Sequence, residues 1–410
     1  MKRFSAALLS LSIAACTMEA PPVELGNVEE ISVPAGPGSA QAHLAATFDD
    51  RVVLSWLEPE DDATAFKFAV FADGAWSPAA TIARGDNFFV NWADYPSVEP
   101  VASGTWVAHW LVLQPEAFYH YDIAYSMSFD DGRSWSEPGR LNGDKSNAEH
   151  GFVSLFPWDD GFGAIWIDGR KLGSMTIDEI FESEEVIGLE LYYARLNGQG
   201  EVLERGLLDG LVCDCCQTDA ASTSNGPLVV YRDRSLEEQR DIVVRGVGPD
   251  GWEEAHAVAD DRWFIDGCPV NGPAIDARGA AVAVAWFTAP DGTASVRFAR
   301  SSDAGASFGP ALELDGAGAF GHVDVELLDD SSAAVSWWRR GAEGGIDLVV
   351  RQIGSDGTPH DEVVVGHTET SGVADVPQMA QSGDELVLVW TDTADQFFLR
   401  SATVGLRTQE

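Results

Sequence analysis

Positive charge is what this 410-residue chain has least of: 25 Lys and Arg stand against 66 Asp and Glu, for a net charge of −41. Nucleic acids and anionic lipid surfaces both depend on cationic side chains for affinity, so neither is an expected partner. Long apolar runs are missing too. The one candidate, Ala6 to Ala15, is too short to span a bilayer, and no later stretch reaches the length of a membrane helix. What the chain does have is apolar mass: 45% of its residues are hydrophobic and 14 are Trp, so its acidity marks a solvated surface rather than disorder.

The amino terminus carries its own signal. Lys2 and Arg3 precede the short apolar run, and Ile13-Ala14-Ala15-Cys16 resembles the processing site of a bacterial lipoprotein. That resemblance implies removal of residues 1–15 and lipidation (palmitate) of Cys16. Residues 16–26 would form a tether and residues 27–410 a single domain. Loss of Lys2 and Arg3 takes the charge from −41 to −43. Thr17 stands where lipoproteins retained in the inner membrane carry Asp. The expected location is therefore the cell envelope at the outer membrane, with membrane contact only through the lipid.

An internal repeat sets the fold class. A β-branched run ending in Trp or Tyr recurs at Trp56, Trp110, Trp166, Tyr231, Trp286, Trp337 and Trp390, with spacings of 54, 56, 65, 55, 51 and 53 residues. Each run has a further alternating apolar segment before it and another after it, and a weaker one follows a glycine turn. Seven units of four antiparallel strands predict an all-β fold, a propeller whose blades bury both faces only when stacked. The last unit lacks its fourth strand, which Val28 to Pro34 can supply, closing the ring. A six-bladed ring is the alternative, if two units share one irregular blade.

Two turns carry the most specific signature. Ser128-Phe129-Asp130-Asp131-Gly132-Arg133-Ser134-Trp135 and Ser301-Ser302-Asp303-Ala304-Gly305-Ala306-Ser307-Phe308 fit S-x-D-x-G-x-x-[W/F]. The chain thus resembles the Asp-box (BNR-repeat) propellers, the superfamily that includes sialidases. Cys213-Asp214-Cys215-Cys216-Gln217-Thr218, Tyr231-Arg232-Asp233-Arg234 and Gly267-Cys268-Pro269-Val270-Asn271 resemble a bacterial group labelled sialidase-like. Asp-boxes identify architecture and not chemistry.

In a propeller, loops leading into first strands and leaving second strands open on one face. Here those loops hold His43, Glu149, His150, the cysteines, Asn271, His322 and Asp375, together with Glu58, Asp168, Arg170, Tyr231 to Arg234, Arg339, Arg340 and Asp392. The expected site is a rim of carboxylates and guanidiniums. Asp168, Asp233 and Tyr231 are the catalytic candidates, since a carboxylic acid can protonate a leaving group. Arg170, Arg232, Arg234, Arg339 and Asn271 are the substrate-binding candidates, since paired guanidinium bonds suit a carboxylate or sulfate. The sialidase pattern itself is incomplete: there is no F-R-I-P, and no tyrosine follows Tyr231. True sialidase activity is therefore not expected.

Cys213, Cys215, Cys216 and Cys268 lead into adjacent blades. In an oxidising compartment they would pair, with three connectivities open. Alternatively, with His150, they would bind a soft ion, copper or zinc. The expected function is carbohydrate-directed: acidic glycan binding or glycoside hydrolysis at the rim, with a glycan or other small ligand as partner. The alternatives are a metal-binding or redox propeller and a non-catalytic envelope scaffold.

Overall fold

The computed structural model describes residues 23–115, 119–175, 179, 183, 186–370, 375–393 and 397–408. Cys16 and the expected export signal lie outside them. Seven antiparallel sheets of the four-stranded blade type form a β-propeller, as the repeat predicts. The first strands of blades one to seven are Ala40–Ala46, Ser97–Ala102, His150–Trp158, Asp219–Thr223, Ala274–Arg278, Ala319–Leu327 and Gln378–Ser382. Among the described residues no helix is long and apolar enough to cross a membrane.

Alternation explains why these segments are strands that need neighbours. A blade presents apolar side chains on both faces, so each face must be covered by the next blade. The buried core accordingly falls into seven clusters, one per interface. Trp106, Phe66 and Phe68 pack between blades one and two, for example, and Trp337, Phe298 and Val325 between blades five and six. The repeated second-strand aromatics are the wedges: Trp56, Trp166, Trp286 and Trp337 are fully buried.

Blade seven is closed by the amino-terminal strand. Val23–Ile31 pairs antiparallel with Phe398–Thr408, running from Val23 opposite Thr408 to Ile31 opposite Ser401. The strand begins at Val23 rather than Val28, so residues 23–26, assigned to the tether from sequence, belong to the sheet. Alternation breaks between Leu25 and Val28, where a bulge shifts the register against the partner strand, and that hid its start.

The two S-x-D-x-G turns link third and fourth strands. In one, Asp130 Oδ1 accepts from the Ser134 backbone N–H at 2.8 Å, and Gly132 N–H donates to Ser128 Oγ at 2.8 Å. Asp303 with Ser307, and Gly305 with Ser301, repeat these bonds at 2.9 and 3.0 Å. Antiparallel topology puts both turns on the face opposite the loops that lead into first strands.

Candidate functional site

Two carboxylates of the expected rim, Glu58 and Asp168, are first of all partners of the wedges, and other acids partner three more. Trp56 donates its indole N–H to Glu58 at 3.0 Å and Trp166 donates to Asp168 at 2.7 Å. Trp286 and Trp337 donate to Asp261 and Asp315 at 2.6 and 2.8 Å, and the Tyr231 hydroxyl donates to Asp209 at 2.8 Å. In the last three the acid sits at the end of the preceding blade. A buried indole N–H needs an acceptor, and the W-x-D/E spacing supplies one at Glu58 and Asp168, whereas Trp390 Nε1 is buried without one although Asp392 stands at the same spacing.

The predicted arginines are similarly engaged. Arg170 stacks on Tyr192 with its guanidinium 3.8 Å from the ring centroid, and its Nε donates to Asp168 at 2.8 Å. Arg234 reaches Glu238 at 2.7 Å and Asp214 at 3.0 Å, while Arg339 pairs with Glu362. Arg232 is buried and donates to three carbonyls, those of Asn271, Arg240 and Phe287, at 2.9, 2.7 and 2.6 Å. Burial pulls its guanidinium down to about 9. Asp233 is pushed up to about 6 by burial and by the charge of Asp209.

His150 and the cysteines do not share a site. The His150 ring lies 2.9 Å from the Tyr121 carbonyl through Nδ1 and 3.2 Å from Asp144 through Nε2, so neither nitrogen is turned to sulfur. Cys213 is bridged to Cys216 and Cys215 to Cys268. The second bridge ties blade four to blade five, and bridged sulfurs offer no thiolate to copper or zinc.

Two of the buried ring nitrogens without a hydrogen-bond partner, on His43 and His322, belong to residues that line a cavity on the propeller axis. Around this cavity of about 340 Å³ stand His43, Tyr95, Ser154, Gln217, His322 and Gln378. Backbone bulges accompany three of them, His43, Ser154 and His322: Gln41, Phe152 and His322 take φ of +54°, +53° and +54° in the first strands of blades one, three and six. At blade six Gly321 must also have φ of +77°, and a Cβ there would lie 2.2 Å from Asn271 Oδ1. That same Oδ1 accepts the His322 backbone N–H at 2.7 Å. Asn271 and Arg232, both expected to touch ligand, thus form a brace behind His322.

One segment crosses the axis. Ala93 accepts from Gln217 of blade four at 2.8 Å, Asp94 accepts from the Phe152 backbone of blade three at 2.7 Å, and Trp92 packs 5.6 Å from the His322 ring of blade six. Tyr95, at the end of this segment, stacks 6.0 Å from His43. His43 Nδ1 and His322 Nδ1 are buried without a hydrogen-bond partner. Burial pushes both rings down to about 4, so each is neutral at physiological pH and can accept or donate.

Below this neutral end the wall is acidic. Glu99, Asp219, Asp276, Asp324 and Glu326 line the same cavity, and Arg278 is the one Lys or Arg among its described lining residues. Asp219, Asp276 and Asp324 each accept a backbone N–H from the next blade, those of Ile275, Leu327 and Met379, at 2.8, 2.7 and 2.6 Å. Burial, opposed by those bonds, pushes Asp219 up to about 7 and Asp324 up to about 8. Off the axis, burial also raises Glu149 to about 7, with Asp214 adding to the rise. His43, His322 and Glu149 are marked by their place in the repeat, whereas Trp92, Tyr95 and the acidic wall are not. The available signal was the acid recurring on the channel-facing register of first strands.

No family model and no curated protein matches the chain. Among solved structures, a protein of unknown function from Dyadobacter fermentans DSM 18053 aligns over 94% of this chain and 99% of its own, with 15% identity and a TM-score of 0.53. NanB sialidase from Streptococcus pneumoniae aligns over 95% of both chains at 9% identity and a TM-score of 0.48. A PL25 ulvan lyase aligns over 80% of this chain and 79% of its own at 11% and 0.44. At such identities the likeness is one of fold.

Proposed function

We propose that this propeller is carbohydrate-directed and that its ligand seat is the neutral end of the axial cavity. The ligand would be an uncharged or amine-bearing sugar unit rather than an acidic one. The observation that carries this reading is the pair of orphaned ring nitrogens on His43 and His322. They stand beside two aromatic rings, Trp92 and Tyr95, and face a wall of carboxyls. Hydroxyl groups satisfy neutral imidazole nitrogens, and the apolar face of a sugar ring suits Tyr or Trp. The cavity volume falls within the range for small-ligand pockets. An anionic sugar would meet five carboxyls and a single guanidinium there, and the rim arginines already hold internal carboxylates.

Titration calorimetry with neutral, amino and acidic oligosaccharides tests this. Neutral or amino sugars should bind the wild type and Arg170→Ala alike, and binding should fall at least tenfold in Tyr95→Ala and His322→Leu. Preference for a carboxylated or sulfated glycan, with loss in Arg170→Ala, would return the site to the rim. Binding of none of the three classes would end the carbohydrate reading.

A further inference from the structure

The two disulfides are unlike each other in exposure. Cys213 and Cys216 are each 1% exposed, whereas Cys268 is exposed and Cys215 half-buried. The two bridges also touch: Sγ of Cys213, Cys215 and Cys216 all lie within 4.8 Å of one another, so the outer bridge ends beside the inner one. Arg240 adds a third feature. Its buried guanidinium donates from Nη1 to Cys213 Sγ at 3.6 Å, while Nη2 is held by Glu238 at 2.8 Å. A bridge that only staples two blades needs neither a second disulfide within exchange distance nor a guanidinium on one sulfur. A thiolate is a far better acceptor for that guanidinium than a bridged sulfur is.

We propose that the four cysteines form a thiol–disulfide exchange site that takes electrons from a dithiol and passes them inward to Cys213. A thiolate of the dithiol attacks the exposed Cys268 sulfur, forming a mixed disulfide and breaking the Cys215–Cys268 bond. Cys215 leaves with the electron pair as a thiolate. The dithiol's second sulfur then attacks the mixed disulfide, releasing Cys268 as a thiol and leaving the dithiol oxidised to its own disulfide. That transfer delivers two electrons and two protons to the protein. Cys215 next attacks Cys216, forming a Cys215–Cys216 bond and breaking Cys213–Cys216. The displaced pair goes to Cys213, where Arg240 holds the negative charge, and this last step is an isomerisation with no further electrons. Attack through a thiolate on the more accessible sulfur is the ordinary course of such exchange.

The test uses the whole protein and dithiothreitol at one equivalent per chain. Acid quenching, alkylation and peptide mapping then identify the two free thiols. Labels on Cys268 and Cys213 are expected. Labels confined to Cys215 and Cys268 would overturn the inward transfer, and labels on Cys213 and Cys216 together would overturn the outer bridge as the point of attack. Protein that takes up no label after the dithiol is oxidised or exhausted would overturn the site altogether. In Arg240→Gln the label should move from Cys213 to Cys215 by at least fivefold, and an unchanged Cys213 label would remove Arg240 from the account. The wild-type map decides the proposal even if that variant fails to fold.

Discussion

Replacing Asp168 separates a packing role from a ligand-binding role, because the two predict opposite outcomes. Asp168 is fully buried and accepts from the Trp166 indole at 2.7 Å and from the Arg170 backbone N–H at 2.9 Å. It also holds Arg170, whose side chain keeps 25% exposure. Asp168→Ala leaves the Trp166 N–H buried without an acceptor, which costs about 1–3 kcal/mol. It also strips the partner from a partly desolvated guanidinium, and breaking a buried pair from one side costs about 3–5 kcal/mol. The two costs overlap, and the exposure of Arg170 discounts the second, so a total of about 3–4 kcal/mol is expected in urea denaturation. Arg170→Leu should also destabilise, by leaving Asp168 buried and unpaired. Asp168→Ala with Arg170→Leu should destabilise less than the two single changes summed, since no orphaned charge remains. A loss below about 1 kcal/mol in Asp168→Ala would refute the packing account, because only a solvated residue costs so little.

Three further outcomes follow from the same geometry. Asp219 and Asp324 have native pKa values raised above those of the unfolded chain, so the folded state holds the extra protons. Their contribution to stability is full below about pH 4, where both states are protonated, and is lost as pH rises through about 7 and 8. Melting temperature should therefore fall between pH 5 and 9, and Asp324→Asn should flatten that slope; a rise with pH in this window would contradict the assignment. Removing residues 1–31 exposes the Phe398–Thr408 edge, so size-exclusion chromatography should show dimers or larger species in place of a monomer. Gly132→Ala introduces a Cβ 2.7 Å from Trp106 and 2.8 Å from Phe68 at φ of +78°, whereas Gly74→Ala meets open space at φ of +76°. Thermal or urea melts should show the first to cost about 1–3 kcal/mol more than the second, because only it overpacks the interface.

The fold was legible because a propeller writes its period into the chain. Seven β-branched runs ending in Trp or Tyr give the blade count, since each blade needs one wedge per interface. The same regularity misdirects a reading of the site. Glu58 and Asp168 recur two residues after a wedge because its indole needs an acceptor, and Tyr231 is itself a wedge bonded to Asp209, so their recurrence signals packing rather than a ligand. Arg232 and Asn271 were selected as ligand contacts, and the structure places them behind His322 as a brace. What brings Trp92 beside His322 is a loop of blade two reaching blade six, a contact between residues 230 positions apart that no local pattern encodes. The cysteine pairing was likewise undetermined until the two loops were placed side by side.

The most direct test of the central claim is the position of a bound sugar. A crystal structure with the tightest-binding neutral or amino oligosaccharide should show a sugar ring at the axis, between Tyr95 and His322, with a hydroxyl on one of the two orphaned imidazole nitrogens. Density beside Arg170 and Tyr192 on the rim would contradict the account. So would density in the groove of about 750 Å³ lined by Trp158, Tyr193 and Trp252, which would leave the axial histidines without a ligand role.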